Sequence, residues 1–112
     1  MQLKLLKYIL DIESVIEEIE SIKLKTQNDF NNFYNDIILQ RAIERDLEIL
    51  GEAIRKMIEI NPNIQITSSK NIIGLRNIIS HAYDTVEPEM LWGIIQKNIP
   101  LLADEIRRLK ED

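Results

Sequence analysis

The sequence predicts an all-α fold, a bundle of four to five helices that forms a single domain over residues 1–112. Three observations support this prediction. Apolar residues recur every three or four positions along most of the chain, and no segment shows the alternation of a β-strand. The chain has 112 residues, of which 45% are hydrophobic, so it can build one core of its own.

The first half of the chain contains the apolar stripes of two long helices. Between them, Thr26 to Asp29 interrupts the pattern with residues typical of helix caps, and Phe30 and Phe33 then predict a short turn of helix. The first stripe is Leu5, Ile9, Ile12, Ile16 and Ile19, and the second is Leu39, Ile43, Leu47, Leu50, Ile54 and Met57.

The second half predicts two further helices. Pro62 ends the long helix, because proline lacks a backbone donor and restricts the residue before it. A helix is expected from about Asn71 to Tyr83, and the final helix near Pro88, a residue that suits the first helical position. Pro100 is expected to bend this last helix. Its apolar stripe is Leu91, Ile95, Ile99, Leu102, Ile106 and Leu109.

Composition excludes several classes of site. The chain has no cysteine, which excludes disulfides and thiolate metal sites, and its one histidine cannot form a multi-histidine metal site within one subunit. We therefore expect no metal and no cofactor. The net charge of -5 weakens the case for broad electrostatic binding of nucleic acid, although a local basic groove stays open. No segment resembles a signal peptide or a membrane span, so the expected location is the cytoplasm.

One segment concentrates side chains with catalytic chemistry. On a helix, Arg76, Ser80 and Tyr83 form one ridge, and Asn77 and His81 lie on the ridge beside it. Arg76 offers a planar, permanently charged fork for a phosphate, and His81 can carry a proton near neutral pH. Asn77 could fix the imidazole tautomer or donate to a substrate oxygen. Tyr83 could donate a hydrogen bond, stack on a base or accept a covalent group.

The spacing alone leaves a plainer interpretation open. A histidine with an arginine five residues earlier is more often a surface or capping pair than a catalytic pair. A tyrosine near a helix end is more often a packing residue. Motif spacing by itself therefore does not establish catalysis by this segment.

The segment from Arg76 to Tyr83 resembles the R-x-x-x-x-H-x-Y motif of the HepT toxins, a branch of the HEPN superfamily. Three further segments are similar to that family: residues 41–53 to its long-helix signature, residues 72–75 to the stretch before the motif, and Trp92 with residues 99–102 to its last helix. Four segments in the same order are far more specific than the motif alone.

The resemblance implies a HEPN-type up-down helical bundle that forms a two-fold dimer, with both motifs lining a shared cleft. It implies a metal-independent endoribonuclease acting on RNA such as tRNA or mRNA, with Arg76 and His81 catalytic and Asn77 and Tyr83 supporting them. It also implies an MntA-type minimal nucleotidyltransferase as the antitoxin partner, which would silence the toxin by transferring AMP to Tyr83.

Two alternatives remain open at this point. The chain could be a non-catalytic helical module that binds a nucleotide or a nucleotidyltransferase, which the acidic net charge favours. It could also be a structural dimerisation module, in which the polar side chains around His81 form a hydrogen-bonded interface between subunits.

Overall fold

The computed structural model describes residues 2–67, 69–74 and 86–111, and these residues contain helices and no strand. The helices are α1 (Leu3–Lys25), α2 (Phe30–Tyr34), α3 (Ile37–Ile60), α4 (helical residues 69–74), α5 (Pro88–Gly93) and α6 (Ile99–Glu111), with a π-helical stretch, Ile94–Asn98, between the last two. The predicted all-α bundle is confirmed. The predicted two-fold dimer remains a prediction.

The core forms chiefly between α1 and α3, which share the largest helix–helix interface of the described chain. Every predicted stripe position of α1 is buried, and so is every predicted position of α3 except Leu39, which is half-buried. The two helices present β-branched and leucine side chains at helical spacing, so each buries one face and leaves the other to charged residues. No helix in the described part of the chain is long and apolar enough to cross a lipid bilayer.

The corner between α1 and α3 contains the predicted short helix. The carboxylate of Asp29 caps α2 by accepting from the backbone N–H of Asn31 at 2.8 Å, and that of Asp36 caps α3 by accepting from Leu39 at 3.1 Å. The ring of Phe33 packs against Trp92 of α5 with their centroids 5.2 Å apart. This aromatic contact fixes α2 between α3 and the last helical segment.

The chain from Pro88 to Glu111 is helical throughout, but its hydrogen bonding changes in the middle. The π-helical stretch Ile94–Asn98 lies just before Pro100. Proline donates no hydrogen bond, and its ring crowds the carbonyl group four residues earlier, which here belongs to Gln96. A wider π turn accommodates that crowding. Leu91, Ile95 and Ile99 stay fully buried on either side of the change.

Candidate functional site

The predicted site residues lie outside the part of the chain that the structure describes. Arg76, Asn77, His81 and Tyr83 all fall within residues 75–85. Their roles, and their meeting in one cleft, therefore remain predictions from the sequence. The described residues on either side define the framework to which this segment is attached.

Both flanks of the motif are anchored in the hydrophobic core. Before the motif, Ile72 of α4 is fully buried. After it, Val86 is 7% exposed and Pro88 begins α5 at its first helical position. The described chain is thus attached to the core at Ile72 before the motif and at Val86 after it.

The loop before α4 is fixed to α6 by a carboxylate. One oxygen of Glu105, Oε2, accepts from both the backbone N–H and the hydroxyl of Thr67, each at 2.9 Å. The other oxygen, Oε1, is buried and has no hydrogen-bond partner among the residues that the structure describes. Ile66, next to Thr67 in the chain, is buried in the core.

An open groove of about 470 Å³ lies where the chain leaves the motif segment. Tyr34 and Ile37 form its apolar side and are each about half exposed. Two carboxylates, Glu87 and Glu89, also line it, and these two groups would repel a phosphate. Among the described residues, its lining is Tyr34, Asn35, Ile37, Gln40, Glu87, Pro88 and Glu89.

A second open groove, of about 490 Å³, runs between α1 and α3. Three carboxylates, those of Asp11, Glu48 and Glu52, line it, and none of the described lining residues is an arginine or lysine. Glu52 is held by Arg55 at 2.7 Å on the same helix. The described part of its lining is therefore acidic. It consists of Tyr8, Asp11, Ser14, Val15, Glu48, Ile49, Glu52 and Ala53.

Asp46 is a buried acid that the sequence interpretation did not identify. Its side chain is 2% exposed, and burial raises its pKa to about 7, with the neighbouring Glu18 contributing in the same direction. A strongly raised pKa is often a mark of catalysis. Here the carboxyl group lies in the α1–α3 interface with Oδ2 sealed from solvent, so its role is structural. Its position three residues after Ile43 and four before Leu50 was the signal that could have revealed it.

No group of three or more histidine, cysteine or acidic side chains within the described ranges is arranged to hold a metal ion. Asp46 and Glu18 are two neighbouring acids, which is fewer than such a group requires. Nothing about metal use by residues 75–85 follows from this observation.

Comparison with known proteins identifies the family. The profile of the family described as "Ribonuclease HepT-like" matches residues 12–109, which include the whole segment from Arg76 to Tyr83. This chain belongs to the HepT-like ribonuclease family. The predicted HEPN-type relationship, stated above as a resemblance, is thereby confirmed.

Curated relatives extend the match over most of the chain. A Methanocaldococcus jannaschii protein named "Putative RNase MJ1380" is 35% identical over 85% of this chain and 85% of its own length. A Thermococcus cleftensis protein named "Probable ribonuclease HepT" is 30% identical over 93% of this chain and 94% of its own length.

A third relative has a longer chain. The Methanocaldococcus jannaschii protein named "Gamma-glutamylcyclotransferase and putative RNase MJ0434" is 32% identical over 96% of this chain, and the match spans 46% of that protein. No solved structure matches the chain.

Proposed function

We propose that this chain is the toxin of a HepT/MntA-type toxin–antitoxin pair and acts as a metal-independent endoribonuclease. The observation that carries the proposal is the family match over residues 12–109, which includes Arg76, Asn77, His81 and Tyr83 in the R-x-x-x-x-H-x-Y order. In this proposal Arg76 and His81 are catalytic, Asn77 supports the imidazole, and Tyr83 accepts AMP.

The proposed chemistry needs two subunits. Cleavage of RNA without a metal requires a base that takes the proton of the 2′-hydroxyl and an acid that protonates the departing 5′-oxygen. The chain has a single histidine, so one subunit provides only one of these groups. A two-fold dimer would bring two copies of His81 and two of Arg76 to one cleft. One imidazole then acts as base and the other as acid.

The bond changes in this reaction balance without a further reactant. The 2′-oxygen attacks the adjacent phosphorus, the bond from phosphorus to the 5′-oxygen breaks, and a 2′,3′-cyclic phosphate and a free 5′-hydroxyl result. The Arg76 guanidinium groups stabilise the negative charge that develops on the phosphate oxygens. Asn77 would hold His81 in the tautomer that its role requires.

Transfer of AMP to Tyr83 offers a simple means of inhibition. The added group brings bulk and a phosphodiester charge close to the position that the RNA phosphate must occupy, and like charges repel. If the segment is helical, Tyr83 lies two turns from Arg76 on the same ridge, so the attached phosphate could engage the arginine itself. Inhibition would then require no change elsewhere in the protein.

A second function is favoured by the charge of the molecule. The net charge is -5, and both grooves described above are lined by carboxylates. A chain of this kind could bind a nucleotide or a nucleotidyltransferase without cutting RNA. The enzyme proposal requires that the positive charge needed by RNA be concentrated at the motif itself.

The deciding experiment compares the purified protein with three variants on total tRNA and on mRNA in the presence of EDTA. Arg76→Ala and His81→Ala remove the proposed catalytic groups, and Arg108→Ala removes an exposed arginine of α6 as a matched control. We expect cleavage with cyclic phosphate ends by the wild type and by Arg108→Ala, and none by the other two.

Two further measurements complete that comparison. Thermal unfolding and size-exclusion chromatography must show each variant folded and in the same oligomeric state as the wild type. Lack of cleavage by a dimeric wild-type protein that carries no AMP would overturn the enzyme proposal and favour the binding module.

A further inference from the structure

The groove between α1 and α3 contains an apolar contact surface. Val15 of α1 and Ala53 of α3 line it and are almost completely buried. Tyr8 is half-buried, and Ile49 keeps 37% of its surface exposed although it lies in the middle of α3. Exposed apolar groups in a concave site are typical of a surface that another molecule covers. Because both walls are long helices packed on the core, this surface is already formed in the free chain.

Carboxylates lie beside the apolar surface on both helices. Asp11 of α1 pairs with Lys7 at 2.9 Å, and this pair lies on one helix and is exposed. Glu52 of α3 pairs with Arg55 at 2.7 Å, again on one helix. Surface pairs of this kind contribute little to stability, so either acid can engage a further cation. Glu48 takes part in none of the ion pairs between described residues.

The acidic edge continues along α1 beyond the residues that line the groove. Glu18 is exposed and lies two turns after Asp11 on the same side of the helix. Across the helix interface it neighbours Asp46, which is buried. The stretch from Tyr8 to Glu18 rises about 15 Å along the helix axis. Negative charge therefore repeats over almost three helical turns.

We propose that the α1–α3 groove is a docking site for a basic amphipathic α-helix of a partner protein. The apolar side chains of that helix cover Ile49 and the buried residues beside it. Its lysine or arginine side chains face Glu48 on α3 and the edge formed by Asp11 and Glu18 on α1. A helix fits this place, because two packed helices leave a groove into which the side-chain ridges of a third can pack.

The charge of the groove favours this occupant over two others. Carboxylates repel the phosphates of RNA. A second copy of this chain has a net charge of -5, so long-range electrostatics do not draw it to an acidic surface. A basic helix is attracted both by the groove and by the net charge of the chain. The inference is independent of RNA cleavage, because none of its residues belongs to the motif from Arg76 to Tyr83.

The experiment uses two fluorescently labelled helical peptides as probes. Each has about 18 residues, or five turns, with leucines along one face and alanines elsewhere. One peptide carries lysines beside the leucine face, and the other carries glutamates at the same positions. Fluorescence anisotropy with the full chain measures Kd. We expect the lysine peptide to bind at least about tenfold more tightly than the glutamate peptide, and added salt to weaken its binding.

Two variants of the groove are each compared with a matched control elsewhere on the surface. Ile49→Ser removes the exposed apolar contact, and its control is Leu101→Ser, because Leu101 of α6 is similarly exposed. Glu48→Lys reverses a charge in the groove. Its control is Glu17→Lys, since Glu17 is an exposed acid of α1 that lies on the side of α6.

We expect each groove variant to weaken binding of the lysine peptide at least about fivefold, and each control to change it less than about twofold. Glu48→Lys should also bind the glutamate peptide more tightly than the wild type does. Circular dichroism must show every variant folded. If Ile49→Ser does not fold, the comparison of Glu48→Lys with Glu17→Lys decides the question, because both residues are on the surface of a helix.

Three results would overturn the inference. The first is a folded wild type that does not bind the lysine peptide. The second is an equal loss of binding in Glu48→Lys and Glu17→Lys, which would show attraction to the overall charge alone. The third is a dimeric wild type that Ile49→Ser, but not Leu101→Ser, makes monomeric in sedimentation, which would assign the groove to a second copy of the chain.

Discussion

Asp46 of α3 is buried in the interface with α1, and Glu18 of α1 is the neighbouring acid that affects it most. Burial is the main cause that raises the pKa of Asp46 to about 7, the charge and hydrogen bond of Glu18 add to it, and Arg45 opposes it. The interface between α1 and α3 therefore contains a carboxyl group whose pKa lies near neutral pH.

Replacement of this acid by its amide should change the pH dependence of stability. The pKa of Asp46 is about 7 in the folded chain and 3.8 in the unfolded one, so the folded state binds more protons between these values. Stability from Asp46 is thus fully present below pH 4 and declines as the pH rises to 7. Asparagine donates to Glu18 at every pH, so the advantage of Asp46→Asn over the wild type should grow by about 2 kcal/mol between pH 5 and pH 8.5.

Urea unfolding at the two pH values checks this prediction. Asp11→Asn is the matched control, because Asp11 is exposed and its partner Lys7 is a surface residue of the same helix. Its difference from the wild type should vary by less than about 0.5 kcal/mol over the same range. Parallel stability curves for Asp46→Asn and the wild type would show that Asp46 is ionised throughout.

In the turn after α1, glycine at position 27 should give a more stable protein than the glutamine that occupies it. Gln27 has φ 57°, in the left-handed region that costs an ordinary residue about 1–2 kcal/mol. Glycine removes that cost but adds unfolded-state entropy, so Gln27→Gly should stabilise the protein by about 0.5 kcal/mol. Gln27→Val should destabilise it by about 1 kcal/mol or more, because a β-branched side chain fits this region worst. Thermal unfolding that ranks valine above glycine would contradict this account.

The next residue provides a contrast. Asn28 has φ 54°, but its Oδ1 also accepts from Nε2 of Gln96 at 2.7 Å. Asn28→Gly loses that contact between the turn and the π-helical stretch. We therefore expect Asn28→Gly to gain less than Gln27→Gly, or to lose stability, in the same unfolding experiment.

The stability of the protein should depend strongly on the side-chain nitrogen of Gln40, which Gln40→Glu replaces with oxygen. Its buried side-chain nitrogen donates to the carbonyl oxygens of Phe33 at 3.0 Å and Tyr34 at 2.9 Å, which connects α2 to α3. Gln40→Glu replaces that nitrogen with an oxygen facing two other oxygens, and it buries a charge. We expect a loss of about 2–4 kcal/mol at pH 8. The loss should shrink at pH 4, where protonation lets the group donate again, and equal losses at both pH values would contradict this reading.

The apolar stripes predicted most of the fold, because the spacing of apolar residues along the sequence indicates which face of a helix is buried. The positions from Leu5 to Ile19 and from Leu91 to Ile106 are buried as their periodicity indicated. Leu39 and Leu109 are only half-buried, since each lies near the end of its helix where fewer neighbours cover it. Stripe membership is thus most reliable in helix centres.

Contacts between distant residues were not predictable in the same way. The proximity of Asp46 to Glu18 and the contact of Thr67 with Glu105 depend on how separate parts of the chain meet, which periodicity does not encode. The candidate site shows the same difference between what residue spacing predicts and what it does not. Spacing predicts that Arg76 and His81 lie on neighbouring ridges of a helix, and this stays a prediction, whereas the ribonuclease family was found by comparison with known proteins.

Tyr83→Phe should separate inhibition from catalysis if the proposed function is correct. Phenylalanine keeps the ring and removes only the oxygen that would accept AMP. We expect the variant to cleave RNA within about threefold of the wild-type rate, since Arg76 and His81 are unchanged. On co-expression with the nucleotidyltransferase partner it should gain no AMP mass, and its inhibition of growth should persist.

The chain has three tyrosines, and Tyr34→Phe is the matched control. Tyr34 is half exposed, and its replacement should leave the modification of Tyr83 intact. AMP still attached to the Tyr83→Phe protein would place the acceptor elsewhere, and a loss of cleavage without AMP would give the phenol a role in the chemistry.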